Sequence, residues 1–474
     1  MSTRPIIPEH ERIPLLQKLT FSLGVNAEYV AVQLMTSVLW MPFFNIGLGM
    51  EPLALGAVLM ILRLWEAFID PVIGNFSDNA RTRWGRRRPF IVVGALLTAA
   101  LFPLFWFMPA GLGDTGKLVY LTGVGLVFFT CFATWAMPYY GFQMELTPNY
   151  DERTSLSAWS AVVSKLSYLG GSWVLALVTG PLFADPATGK GDIVHGMRTL
   201  CWFIAGLIVV FGILPVAFTK ERTYAATAAR QPREPFWQSV KDSAACRPLW
   251  VLIGVSFFLV LGYSSVASLA NYIYIYYIFD GDINAGSVLL GWKATVNVAT
   301  GLASIPLLTW LAGRYDKRTM VMAMLILCVS SYALNFVCLR PDMPYLMLVP
   351  AVFESCGISA VWLFLPSMKA DVGDYDALTT GRRREGAINS FYSWFIKASL
   401  TASVGIGGAV LSFSGFSAKI THQAPEVLHR MLILFISLPI AFWAIAFVIC
   451  LFYPLTRARM AAIRAELEAR KLST

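Results

Sequence analysis

The stretch Leu62–Phe90 reads LRLWEAFIDPVIGNFSDNARTRWGRRRPF, and its two halves pull in opposite directions. The first half has the apolar density of a membrane helix, yet it carries Arg63, Glu66 and Asp70. Each such charge near a bilayer centre costs about 2.5–3.5 kcal/mol. Charges retained at that cost line water or a binding site rather than lipid. Positions i, i+3 and i+7 fall on one helical face, so the three side chains share a wall. The second half is a short loop holding Arg81, Arg83, Arg86, Arg87 and Arg88, the strongest topology signal in the chain. A membrane transporter with a charged interior is the expectation.

Composition agrees. The chain has 474 residues, 57% hydrophobic and 14% charged, where a soluble protein carries about 25% charged residues. Its mean hydropathy is +0.62. The net charge of +9 sits in short loops between apolar runs, a topology signal rather than a phosphate-tracking groove, so no nucleic-acid partner is expected. Seven cysteines without a CxxC pair and four scattered histidines (His10, His195, His422 and His429) indicate neither a disulfide framework nor a metal cluster. The polar N-terminus is not a signal peptide. No Walker motif and no covalent nucleophile arrangement appear, so an ATP-driven pump and an enzyme are both disfavoured.

Moving outward, a span needs about 20 mostly apolar residues. Twelve candidates follow, near 18–46, 52–77, 89–109, 117–146, 154–183, 198–219, 248–279, 286–313, 319–339, 343–368, 386–415 and 427–455. The expected organisation is an N-terminal six-helix bundle over 1–219, a polar basic linker over 220–247, a C-terminal six-helix bundle over 248–455 and a cytoplasmic tail over 456–474. With both termini cytoplasmic, the inner segments hold 27 Lys and Arg against six outside, with Arg63, Lys165, Lys293 and Lys397 inside spans. The halves echo each other: GNFSDNARTRWGRRR follows the second span and LAGRYDKR the eighth. Two six-helix bundles related as a parallel repeat describe the major facilitator architecture, an all-α integral membrane fold.

WEAFIDPVIGNFSDNARTRWGRRRPF and ADVGDYDALTTGRRREGAINSFYSWFIK resemble the signatures of the glycoside–pentoside–hexuronide:cation symporters, and the likeness covers nearly the whole chain. The RRRPF ending is also similar to the sucrose transporters. The resemblance implies a cation site at Glu66 and Asp70, with Lys397 as the ammonium that partners the acids when the cation is absent and Arg63 on the same face. Two acids one turn apart hold a monovalent cation or share a proton, because like charges so close resist ionising together. A static ion network fastening the helices is the plain alternative. The family's sodium site adds an asparagine and a threonine, whose positions here are Ile69 and Ala133 with Thr134 adjacent. Loss of two neutral oxygens favours H⁺, while Na⁺ at Glu66, Asp70 and Thr134 stays open. No other cofactor is expected.

On the sugar side the resemblance implies Tyr140 as a stacking aromatic, Trp362 as a sugar-facing tryptophan, Glu28 near the family's first acid and Lys165 one turn from its arginine position, Ala161. The family's aspartate is replaced by Ala136. A lysine suits an acidic sugar, so a uronide stands beside a neutral glycoside; ordinary helix packing is the alternative for both aromatics. Lys293 and Glu354 read as pathway residues, as a snorkelling lysine or as a structural pair. Asp374, Asp376 and Arg382 to Arg384, with Arg383 central, are expected in the loop between the tenth and eleventh spans as cytoplasmic gate residues, and Asp78, Arg81 and Arg86 as their counterparts. The expected function is a plasma-membrane symporter, monomeric and embedded in the lipid bilayer, importing a glycoside, oligosaccharide or uronide. A lysolipid symporter and a non-transporting receptor are the rivals.

Overall fold

The computed structural model describes residues 12–80, 82–109, 111–146, 150–184, 191–219, 244–380, 385–418, 420 and 422–472. The expected linker falls at 220–243 largely outside these residues, as do Arg81 and Arg383. The chain forms two compact units, Met1–Pro232 and Arg233–Thr474.

The first unit opens with a helical run that changes character as it goes. It comprises α1 (Leu15–Ser22) and α2 (Gly24–Glu28), then wide π-helical turns over Tyr29–Leu39 and Pro42–Gly47. Pro42 has no N–H to donate back along the helix, a local reason for irregular turns here. Trp40, Phe43, Phe44, Phe105 and Trp106 pack around this end, edge-on or stacked, all fully buried. There follow α3 (Pro52–Asn79), α4 (Arg88–Trp106), α5 (Asp114–Glu145), α6 (Tyr150–Ser172), α7 (Val174–Val178) and α8 (Ile193–Phe218). Gly94 lets α4 lie against the α5 backbone, where a Cβ would stand 2.5 Å from the Trp135 nitrogen. The Trp135 indole N–H donates to the Gly212 carbonyl at 3.0 Å and ties α5 to α8.

The second unit repeats the plan. It contains α9 (Arg247–Ser265), α10 (Ala267–Tyr272), π-helical turns over Ile273–Ile278, α11 (Ile283–Arg314), α12 (Lys317–Cys338), α13 (Leu348–Thr380), α14 (Glu385–Phe413), α15 (Pro425–Cys450) and the terminal α16 (Arg457–Leu472). Asp282 and Asp316 cap α11 and α12, accepting from the Ala285 and Arg318 amides at 3.0 and 3.1 Å.

The packing pattern is the same in both. In the first unit α3 packs on α5, α4 packs on α5 and α8, and the opening run packs on α6 and α8. In the second, α11 packs on α13, α12 packs on α13 and α15, and α9 packs on α14 and α15. Among the described residues, 11 helices are long and apolar enough to cross a membrane. The run Leu15–Gly47, where the sequence places its first span, is helical but divided into pieces too short to be included among them.

Two expectations need correction. Asp374 and Asp376 are not in a loop: α13 continues to Thr380 and carries both in its last turns. The apolar run ends near 368, but nothing in KADVGDYDALTT breaks a helix as a proline would, and Asp371 and Asp376 are buried against the unit. Asp78 likewise belongs to the last turn of α3 rather than to the loop after it.

Candidate functional site

The acid-bearing face of α3 is built as its spacing requires. Arg63 donates from Nη1 to Glu66 Oε2 at 2.8 Å and from Nη2 to the Thr36 hydroxyl at 3.1 Å. Thr36 in turn donates to the Val32 carbonyl at 2.8 Å, so the guanidinium fastens α3 to the wide turns of the opening run. Phe129 of α5 closes the other side, its ring centroid 5.7 Å from the guanidinium carbon. Asp70, one turn beyond Glu66, is only 6% exposed. Pro71 follows it inside the helix and removes the N–H that would bond the residue 67 carbonyl, leaving that oxygen without its helical donor. Formal charges on this face are one positive and two negative, a balance that one monovalent cation or proton neutralises. Thr134 donates to the Thr130 carbonyl at 2.9 Å, while Trp65 on α3 donates to the Thr130 hydroxyl at 2.9 Å.

Glu28 and Tyr140 come together: the phenol donates to Glu28 Oε2 across α2 and α5. The sequence placed each of these residues in the site but not in contact. The opening run is joined to α6 by further polar pairs. Lys18 bonds Glu152 at 2.8 Å and Ser155 at 3.0 Å, Ser160 donates to Ser22 at 3.3 Å, and Ser167 donates to Asn26. Lys165 lies on an exposed face of α6. Glu152 stands below Ser155, where the apolar span begins. Burial pushes its carboxyl up, but the Lys18 hydrogen bond, the Ile13 N–H and the charges of Lys18 and Arg12 outweigh this and hold it below its ordinary range.

In the second unit Lys293 of α11 pairs with Glu354 of α13 at 3.2 Å, with side-chain exposures of 15% and 4%. The ammonium lies 5.9 Å from the Tyr274 ring centroid. These two charges inside second-unit spans are therefore an ion pair. Trp362 and Lys397 lie on exposed faces of α13 and α14. Lys317, from the LAGRYDKR echo, bonds Asp371 at 2.6 Å and the Ser367 carbonyl at 3.3 Å, which ties the start of α12 to the far end of α13. Asp374 is partly buried nearby in sequence, and Asp376 is buried.

The basic loop of the first unit is equally built in. Arg87 is buried against α5 at Gly141, where a Cβ would collide with the guanidinium, and Arg88 donates to the Val216 carbonyl at 2.9 Å. Arg86 is half-buried beside them. Thr36, Asn26, Ser167 and Asp371 were missed in the sequence. An uncharged or single polar residue in an apolar run gives no signal of which helix it will meet. Among the described residues no group of three or more His, Cys, Asp or Glu could hold a metal ion.

Comparison with known proteins agrees with this architecture. The profile of the family described as MFS/sugar transport protein matches residues 21–457. The glucuronide carrier protein homolog of Escherichia coli K12 is 26% identical, with 95% of each chain covered. The isoprimeverose transporter of Lactiplantibacillus pentosus is 25% identical over 95% of this chain and 91% of its own. Among solved structures, a bacterial homolog of the human lysosomal transporter Spinster, inward-facing and unoccupied, superposes with a TM-score of 0.63 at 13% identity, covering 95% of this chain and 97% of its own. An all-helical chain with many apolar spans, intramembrane acids and a repeated packing plan is therefore a multi-pass membrane transporter and not an enzyme, and it belongs to the MFS/sugar transport protein family, as a glycoside–pentoside–hexuronide:cation symporter of the major facilitator superfamily.

Proposed function

We propose that the chain imports a glycoside, oligosaccharide or uronide together with a cation, with H⁺ ahead of Na⁺. One observation carries the reading: α3 holds Glu66 in an ion pair with Arg63 and buries Asp70 one turn further on, within a span. A proton needs one basic group, whereas sodium needs several oxygens together. Asp70 is the proposed proton carrier, and Arg63, Glu66 and Lys397 set its electrostatic surroundings. Thr134 and the residue 67 carbonyl are the oxygens a sodium ion would recruit. Glu28, Tyr140, Lys165 and Trp362 are the proposed substrate contacts, with Lys165 suited to a uronide carboxylate. Relatives named for a glucuronide and for isoprimeverose support that substrate class.

Coupling is a reciprocal free energy: loading Asp70 raises substrate affinity, and substrate raises the affinity for the cation. The proposed topology is twelve spans with both termini cytoplasmic, in a bacterial inner membrane, with the domain limits given by the sequence. Asp78, Arg81, Arg86, Asp374 and Arg383 are the proposed cytoplasmic gate, with Asp78 in the last turn of α3 and Asp374 on α13.

The test is sugar-triggered proton uptake. Cells in light buffer, expressing the protein or its Asp70→Asn variant, receive a panel of glycosides and uronides under anaerobic conditions while external pH is followed. Alkalinisation with one compound, absent in the variant, supports proton symport. Accumulation of a labelled sugar that needs Na⁺ and leaves external pH flat overturns the proton assignment. Saturable lysolipid uptake with no sugar accumulated overturns the substrate class.

A further inference from the structure

Both units open with a run that breaks in the same way. Helix α1 is interrupted at Leu23 and α9 at Val266; each break is followed by a short α segment and then by π-helical turns. Five residues after each break stand Glu28 and Asn271. Interrupted helices at corresponding positions of two repeats are where secondary transporters place substrate groups.

Glu28 has its Tyr140 partner. Asn271 is 5% exposed, and its amide nitrogen has no hydrogen-bond partner among the described residues. The other two buried asparagines among the described residues behave differently. Asn45 donates to the Met50 carbonyl at 2.6 Å and Asn335 to the Ser331 carbonyl at 3.4 Å, so each serves its own backbone. A buried amide without an acceptor is destabilising, and packing alone gives no reason to keep one. Val, Leu or Ala would suit the buried stretch Leu269–Tyr276 better.

We propose that Asn271 is a substrate-contacting residue of the second unit, its carboxamide hydrogen-bonding a ring hydroxyl of the transported sugar; this rests on the sugar-symport reading above. A carboxamide offers a donor and an acceptor side by side, and neighbouring hydroxyls on a pyranose each do both. A neutral amide reads hydroxyls without competing for the coupling cation. A site built around such a bond discriminates strongly against the analogue lacking that hydroxyl.

The test uses the full-length protein in proteoliposomes. Uptake of methyl β-D-glucuronide, methyl β-D-glucoside and methyl β-D-xyloside is measured first, then of the monodeoxy analogues of whichever is taken up best. Asn271→Ala should raise KM about tenfold, with the maximal rate changed less than about twofold. For one monodeoxy analogue, wild type and variant should differ by less than about twofold, since the lost hydroxyl and the lost amide are the same bond. Asn271→Leu should melt no lower than wild type without sugar, because an unsatisfied amide has been removed. A variant that discriminates among the deoxy analogues as wild type does overturns the inference, leaving the amide to hold water only. Wild type that takes up none of the probes overturns the sugar reading itself, and this inference with it. Should Asn271→Ala not reach the membrane, Asn271→Ser is judged by the same criteria.

Discussion

Neutralising Glu354 alone should destabilise the protein more than neutralising Glu354 and Lys293 together. The pair is separated by 3.2 Å, with exposures of 15% and 4%. Unit charges at that distance interact by about 5 kcal/mol at an effective dielectric of about 20. Against this stands the desolvation of both ions, so the net contribution of the pair is far smaller. A single substitution keeps one desolvated charge and discards its partner. Glu354→Gln leaves the Lys293 ammonium facing the Tyr274 ring without its carboxylate, and Lys293→Met leaves a carboxylate buried in α13. Each should cost about 3–5 kcal/mol. The double variant Lys293→Met/Glu354→Gln removes both charges and should return to within about 1–2 kcal/mol of wild type, a large coupling in a double-mutant cycle. Thermal unfolding of the purified protein in detergent, followed by tryptophan fluorescence, ranks the four proteins. Additive losses, with the double variant below either single one, would refute the reasoning, because the charges would then act independently.

Two further outcomes follow from other contacts. Glu152 titrates below its ordinary range when folded, so its bonds stabilise fully above about pH 4.5 and are lost as pH falls through the lowered value. The gap in melting temperature between wild type and Glu152→Gln should therefore be widest at neutral pH and shrink under acid; a gap that widens under acid contradicts the assigned pairing with Lys18. Gly94→Ala places a methyl group 2.5–2.8 Å from α5 backbone atoms, which cannot swing aside, and should cost about 1–3 kcal/mol, while Gly206→Ala on α8 meets nothing within 4 Å and should be neutral or better. Equal melting temperatures for those two variants would show that α4 and α5 are not held at this spacing.

The sequence made one level of this structure legible and left another dark. Apolar length and the Arg clusters located the helices, and the rule against charge in lipid picked out Arg63, Glu66, Asp70, Lys293 and Glu354. Helical spacing then put Arg63 and Glu66 within reach of each other, since both lie on α3. Contacts between helices were a different matter. Thr36 below Arg63, Tyr140 against Glu28 and Lys317 against Asp371 join residues at least 27 positions apart, and no periodicity states which faces meet. The misplaced Asp374 and Asp376 show the same limit at a helix end: the polar turns of α13 resemble a loop until Lys317 is seen to bond the helix at Asp371.

The shared packing plan has a consequence for experiment. Since the main helix–helix contacts of one unit recur in the same order in the other, each of those contacts has an internal control within one polypeptide. A substitution at the α4–α5 contact can be compared with one at the α12–α13 contact under identical lipid, temperature and expression. Where the two responses match, the contact serves the scaffold. Where they diverge, the difference marks what each half does that its twin does not.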